Sequence, residues 1–333
     1  MDRGGGHLSP EPMDAYTAPV QPRPAPDQSS RPNRRLRSDL KRDRWLYLLA
    51  LPGILFFIVF KYFPMYGLVI AFENYSPFKG IIRSEWVGFA HFERFFSNPD
   101  FLLLLRNTMA INFMKLFLFF PLPILLAILL NELRSDKYKK LIQTVVYLPH
   151  FLSWVLICGL TYLLFATGDG FVNKVLAELG ADKWVVLTNP KLFWIMITSQ
   201  SIWKEAGWGT IIFLAAIAGV NTQLYEAATI DGAGRLRRMW HVTLPAIRTV
   251  IVILLILRIG EIMDVGFEQV FLMSNGAVSE VADVFDTYVY RVGVQQGQFS
   301  FTAAVGLFKS IVGLTLVLLS NWLAKRFGEE GVY

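Results

Sequence analysis

The chain has 333 residues, 54% of them hydrophobic and only 17% charged, with a mean hydropathy of +0.43. That leaves too little polar surface to cover a soluble domain, and it places the chain among integral membrane proteins. The net charge of +6 sits in short basic clusters between apolar runs, where it orients membrane spans rather than binding nucleic acid, and the single cysteine, Cys158, excludes a disulfide framework or a cysteine-based metal site.

Residues 1–44 ("PEPMDAYTAPVQPRPAPDQSSRPNRRLRSDLKRDR" in the main) are rich in Pro, Ser and charge. Such a segment buries too little apolar surface to offset its ordering entropy, so it reads as a disordered, basic cytoplasmic arm. The first apolar stretch begins at Trp45 with no small-residue cleavage pattern behind it, as expected of an uncleaved anchor. Six stretches, 45–69, 102–131, 141–166, 192–220, 246–266 and 301–324, each supply the roughly 20 apolar residues that a bilayer-crossing helix needs. The expected architecture is an all-α, six-span membrane domain over residues 45–325. Pro64, Pro121 and Pro123 leave carbonyls unpaired, which hydrocarbon tolerates only beside other helices or water, so a packed bundle around a cavity is expected.

Basic residues set the orientation. Arg34, Arg35, Arg37, Lys41, Arg42 and Arg44 precede the first span, and Arg134, Lys137, Lys139 and Lys140 lie between the second and third. These loops are assigned to the cytoplasm, together with Arg235, Arg237 and Arg238 and the 326–333 tail, so both termini lie inside. The alternate loops are longer and more aromatic: "ENYSPFKGIIRSEWVGFAHFERFFSNPD", "TGDGFVNKVLAELGADKWVVLTNPK" and "EQVFLMSNGAVSEVADVFDTYVYRVGVQQGQ". They read as interfacial helices around an outer mouth, their aromatics serving first as membrane-interface anchors.

Catalytic signatures are missing. No G-x-x-x-x-G-K-[ST] occurs, so ATP has no P-loop here; "DGAG" lacks the third glycine and the preceding strand of a dinucleotide site; H-E-x-x-H and G-x-S-x-G are absent. Ser201-Ile-Trp-Lys204 fits S-x-x-K by chance, without its companion motifs. The chain is therefore not expected to be an enzyme, and no metal site is expected.

One polar segment, "EAATIDGAGRLRRMWHVTLP" (Glu226 to Pro245), interrupts the apolar sequence. Ala227 and Ala228 favour helix, Gly232 suits a left-handed helix end, and "AGRLRRMWHV" forms a second, basic helix, with Pro245 opening the next span. The result is a helical hairpin over about 224–245. Headgroup binding accounts for its arginines and Trp240. It does not account for an acid beside two alanines, which suits insertion into a partner's cleft.

The segment resembles the EAA loop of ABC importer permeases, E-A-A-x-x-D-G-A followed by L-P. Glu226, Ala227, Ala228, Asp231, Gly232, Ala233, Leu244 and Pro245 all match, with Met239 where many relatives carry Phe. The resemblance runs over about residues 44–333. "FKYFPMYGLVIAFENYSPFKG", "WVGFAHFERFF" and the sequence from "FEQVFLMSNG" onward are similar to the polysaccharide, LplB-type branch of the carbohydrate-uptake permeases, alginate-type importers among them. This likeness implies the MetI/MalF-like fold in a bacterial inner membrane. It implies a second homologous permease, two ATPase subunits that bind ATP and Mg, and an extracytoplasmic sugar-binding protein. It also implies that the loop is a coupling helix, with the Glu226 carboxylate meeting an arginine of the ATPase.

Sugars present hydroxyls and flat apolar faces, so polar groups beside aromatics are expected along their path. "SQSIWKEAGWG" supplies Gln200, Trp203, Lys204, Glu205 and Trp208, and "EIMDVGFEQVF" supplies Glu261, Asp264, Phe267 and Glu268. Ionisable groups in spans are expensive, which favours a functional role, although each of these can also pair with a neighbour at a span end. Two other classes fit the sequence less well. An ion-driven secondary transporter has no reason for an ATPase-docking loop, and a membrane glycosyltransferase needs acidic or metal-binding residues gathered at one aqueous face.

Overall fold

The computed structural model describes residues 43–329, 331 and 332, so the predicted arm lies almost wholly outside the described residues. The described residues up to Pro64 and those from Met65 onward form two units. In the first, α1 (Arg44–Phe57) continues into a wide turn at Ile58–Tyr62, and none of its side chains is buried.

The second unit is helical apart from one short antiparallel pair, β1 (Glu73–Asn74) with β2 (Glu85–Trp86). α2 (Ala90–Phe96) leads to α3 (Asp100–Met114) and α4 (Pro121–Asn131), then α5 (Asp136–Tyr147), α6 (Trp154–Phe165) and α7 (Phe171–Glu178). The longest helix, α8 (Pro190–Ala218), is followed by α9 (Thr222–Ile230), α10 (Arg235–Ala246), α11 (Arg248–Gly260), α12 (Phe267–Met273), α13 (Phe285–Val289) and α14 (Phe299–Arg326).

Three runs are long and apolar enough to cross a membrane unbroken: Arg44–Phe72, Asp100–Asn131 and Phe299–Arg326. Up to six crossings result if each of three bent pairs is one span: α5 through Phe151 with α6, bent by 100°; α8 with α9, by 73°; and α10 with α11, by 62°. The uninterrupted helix expected over 141–166 is therefore corrected to a broken one. The stretch expected to run to 266 ends as helix at Gly260.

The prolines explain part of this backbone. Wide π-type turns at Ile58–Tyr62, Lys115–Phe119 and Met239–Thr243 end two residues before Pro64, Pro121 and Pro245. A proline lacks an N–H and crowds the carbonyl one turn back, and a widened turn re-pairs the neighbouring groups.

Packing gathers into three cores. Phe193 and Ile197 of α8 meet Cys158 of α6 and Val270 and Met273 of α12. Phe95, Leu104, Phe285, Tyr288 and Phe301 form an aromatic core, with the Phe95 and Phe101 rings edge to face at 5.1 Å. Ala127, Phe213, Ile217 and Ile247 join α4, α8 and the start of α11. Lipid tails are as apolar as these side chains, so close van der Waals fit and interhelical hydrogen bonds hold such helices together. Gly207 illustrates the fit: a Cβ there would lie 2.0 Å from the Val146 carbonyl oxygen, so only glycine lets α8 approach the end of α5.

Candidate functional site: a protruding hairpin and two clamped helix breaks

The hairpin is built by local rules. Asn221 caps α9, its side chain accepting from the Gln223 N–H at 2.9 Å. Gly232, at φ +72°, ends α9, while Ala233 N–H donates to Ala228 O at 2.8 Å and Gly232 N–H to Thr229 O at 3.1 Å. These are the bonds that close a helix through a left-handed residue. α10 folds back and is tied to α9 by Tyr225 Oη with Thr243 Oγ1 at 3.0 Å and by Arg238 Nη1 donating to Thr229 Oγ1 at 3.0 Å. Arg235 lies 4.0 Å from Glu132, joining the hairpin to the end of α4.

Glu226, Ala227, Asp231, Gly232 and Pro245 are exposed, and Ala228, Ala233 and Leu244 are half-buried. The Glu226 carboxylate has no hydrogen bond or ion pair among the described residues. Two aliphatic side chains at the tip, Ile230 and Leu236, are 87% and 68% exposed. The sequence motif passed over both, and only their exposure singles them out.

The residues of "SQSIWKEAGWG" divide into two groups. Gln200 is buried and donates to Thr161 Oγ1 at 2.8 Å, while its carbonyl accepts from Gln269 Nε2 at 2.9 Å. Gln269 also donates to Ile197 O at 2.7 Å and accepts from Ser201 Oγ at 3.1 Å. The network binds α6, α8 and α12 with each side chain supplied with partners. Trp203 is exposed beside a cavity of about 360 Å³ that it lines with Gln200, Phe165 and Trp184.

Lys204, Glu205 and Trp208 instead hold the break before α6. Lys204 Nζ donates to His150 O and Leu152 O, both at 2.6 Å. His150 Nδ1 lies 2.8 Å from Glu205 Oε2, and its ring stacks on Trp208 at 4.3 Å and 4°. Carbonyls freed by unwinding thus find a cation in place of helical N–H groups.

A second break, Glu261–Gly266, is clamped the same way. Asn112 Nδ2 donates to Ile262 O at 2.8 Å and Lys115 Nζ to Val265 O at 2.7 Å, while the Val265 N–H donates to Asp286 Oδ2 at 3.1 Å. Lys309 bridges Asp286 and Asp264, the latter at 2.6 Å, and Arg258 pairs with Glu261 at 3.3 Å. Gly266, at φ +104°, turns the chain into α12. Glu261, Asp264 and Lys309 border a cavity of about 580 Å³ between α11 and α14. Phe267 stacks on Phe271 at 5.1 Å, and Glu268 is exposed. On α13, Tyr288 accepts from Asn98 Nδ2 at 2.7 Å, and burial raises its hydroxyl pKa above the ordinary value.

Asn112, Lys115, Gln269, Asp286 and Lys309 were missed in the sequence. A signal existed for the lysines, because Lys115 in "INFMKLFLFF" and Lys309 in "GLFKSIVGL" are ionisable groups inside apolar runs, the rule that singled out Lys204. Among the described residues no cluster of His, Cys, Asp and Glu is placed to hold a metal ion.

Broken, side-chain-clamped apolar helices with a helical hairpin projecting between two of them define a multi-pass membrane permease. Residues 119–329 match the family described as binding-protein-dependent transport system inner membrane component, and the chain belongs to that family. It is 54% identical over 294 residues to Protein LplB of Bacillus subtilis (strain 168), covering 88% of this chain and 92% of that one. It is 54% identical over 300 residues to the polygalacturonan/rhamnogalacturonan transport system permease protein YteP of the same organism, covering 90% and 94%. Among solved structures it resembles a chain of the bacterial alginate ABC transporter in complex with alginate pentasaccharide-bound periplasmic protein. The TM-score is 0.81 at 41% identity, over 90% of this chain and 100% of that one. The chain is thus a helical, MetI-like permease of the inner membrane, and its relatives are transport components rather than enzymes.

Proposed function

We propose that this permease is one of two that line the translocation path of an ABC importer for oligo- or polysaccharides, working by alternating access. In this reading six spans cross the membrane, both termini are cytoplasmic, and ATP and Mg are bound by two separate ATPase subunits. A periplasmic sugar-binding protein delivers the substrate. The saccharide assignment rests on the substrates named for YteP and for the alginate transporter, at 54% and 41% identity.

The observation that carries the coupling role is the projecting hairpin. The Glu226 side chain is exposed at its surface and has no partner among the described residues, and Ile230 and Leu236 of the same hairpin are apolar and uncovered. A lone lipid-facing elbow has no use for an unpaired carboxylate, whereas a groove in an ATPase supplies a cation for it and apolar walls for the tip. Glu226, Ala227, Ala228, Asp231, Gly232, Ala233, Leu244 and Pro245 then form the docking element. Gln200, Trp203, Glu261, Asp264, Phe267 and Glu268 border the path, while Lys204, Glu205 and Trp208 shape it by fixing the bend before α6.

Copurification tests the assembly. An ATPase recovered at one copy per permease, with saccharide uptake in vesicles only when ATP is supplied, is the expected outcome. Uptake driven by an ion gradient without any ATPase refutes it.

A further inference from the structure

Beyond the clamped break, α12 carries Phe267 and Phe271 one turn apart, and both rings meet Tyr290, at 5.0 and 5.2 Å. Phe271 is 43% exposed. Next to it lies a separate cavity of about 230 Å³, lined by Ser274, Asn275, Asp283, Thr287, Tyr290 and Arg291 among others. Asp283 pairs with Arg291 Nη2 and accepts from Thr287 Oγ1 at 2.9 Å. No hydrogen bond among the described residues uses Arg291 Nε or Nη1, and the side chain is half-exposed. The carboxylate therefore holds one edge of the guanidinium and leaves donors over.

This combination is selective. A cation already balanced by a carboxylate is a poor site for phosphate or another free anion. An aromatic face beside donors and an acceptor suits a group with one flat apolar side and a hydroxyl-rich edge. The volume is below the roughly 300–1,000 Å³ of pockets that enclose drug-sized ligands, which leaves room for a single ring.

We infer that this cavity is an entry subsite for one sugar ring of the transported saccharide, with Phe271 and Tyr290 as the stacking platform and the Arg291–Asp283 pair as the hydroxyl-binding edge. The inference rests on the proposed saccharide transport and on the topology that puts this segment outside. A hydroxyl-bearing edge is preferred over a carboxylate, because Asp283 already balances the Arg291 charge that a uronate would need, while the spare guanidinium donors remain open to neutral hydroxyls.

The test uses the complete transporter with its binding protein in proteoliposomes, supplied with tetra- and pentasaccharides from digests of pectin, rhamnogalacturonan, xylan and alginate. Phe271→Leu, which keeps apolar bulk but loses the flat ring, and Arg291→Gln should each raise the half-saturating saccharide concentration about five- to tenfold, more than they lower the maximal rate. Phe271→Tyr should stay near wild type. If Arg291→Gln fails to assemble, the Leu and Tyr variants at position 271 decide. Wild-type uptake with unaltered half-saturation in Phe271→Leu overturns the subsite alone. Weaker docking of the saccharide-free binding protein to either variant also overturns it, since the cavity is then a protein contact. Uptake of none of the digests by the wild type overturns the saccharide reading, and the subsite with it.

Discussion

Replacing Lys309 by Met removes the cation between two carboxylates of unlike surroundings. The side chains of Lys309 and Asp286 are 12% and 16% exposed, while that of Asp264 is 67% exposed. Removing one partner of a buried pair strands the other charge and costs about 3–5 kcal/mol, whereas an exposed pair contributes about 0–1 kcal/mol. Asp286 keeps one compensating bond, from the Val265 N–H at 3.1 Å, which points to the lower end of that range. Lys309→Met is therefore expected to destabilise the purified complex by about 3 kcal/mol, and Asp264→Asn by less than about 1 kcal/mol. The double variant Lys309→Met/Asp286→Asn should regain at least half of the loss, because no buried charge is then stranded and Asp264, which still loses its cation, is exposed to solvent. Denaturant or thermal unfolding in one detergent, followed by tryptophan fluorescence and read as differences between variants, measures all three. An Asp264→Asn variant as unstable as Lys309→Met, or a double variant no better than the single, refutes the assignment of the stability to the buried half of the cluster.

Glu226→Ala should weaken the permease–ATPase contact by roughly 1–3 kcal/mol and lower substrate-stimulated ATP hydrolysis and uptake together, with Arg237→Gln milder. The reverse order in reconstituted vesicles would indicate a lipid anchor. Gly232→Val should impair both activities more than Glu226→Ala does, since a β-branched residue is strained at φ +72°; equal activity of the two variants argues against a fixed hairpin. Gly207→Ala should cost about 1–3 kcal/mol in the unfolding assay by driving α8 off the Val146 carbonyl, and an unchanged midpoint contradicts the close approach. A label at Arg238 should react only from the cytoplasmic side and one at Asp182 only from outside; an external Arg238 removes both the topology and the docking role. Deleting residues 1–30 should leave assembly and transport largely intact, as counted by complex yield and uptake.

The hairpin was legible in the sequence because each of its determinants is local. Gly232, read from the sequence as the left-handed helix end, takes φ +72°, and Ala233 closes back on Ala228; the cap at Asn221, which the sequence reading did not single out, also acts within two residues. The apolar runs were legible for a related reason: hydrocarbon thickness acts on every span alike, so length and composition suffice to find them. Where those runs break was decided elsewhere. Unwinding at 148–153 is stabilised by Lys204, more than fifty residues away, and unwinding at 261–266 by Asn112 and Lys115, each 150 residues from its carbonyl. An unpaired carbonyl in a bilayer has no water to turn to, so a helix opens only where a distant side chain has already been brought alongside. The sequence shows that Lys204 and Lys115 are costly in an apolar run; which backbone oxygens repay that cost is set only when α3 and α8 pack beside the broken helices.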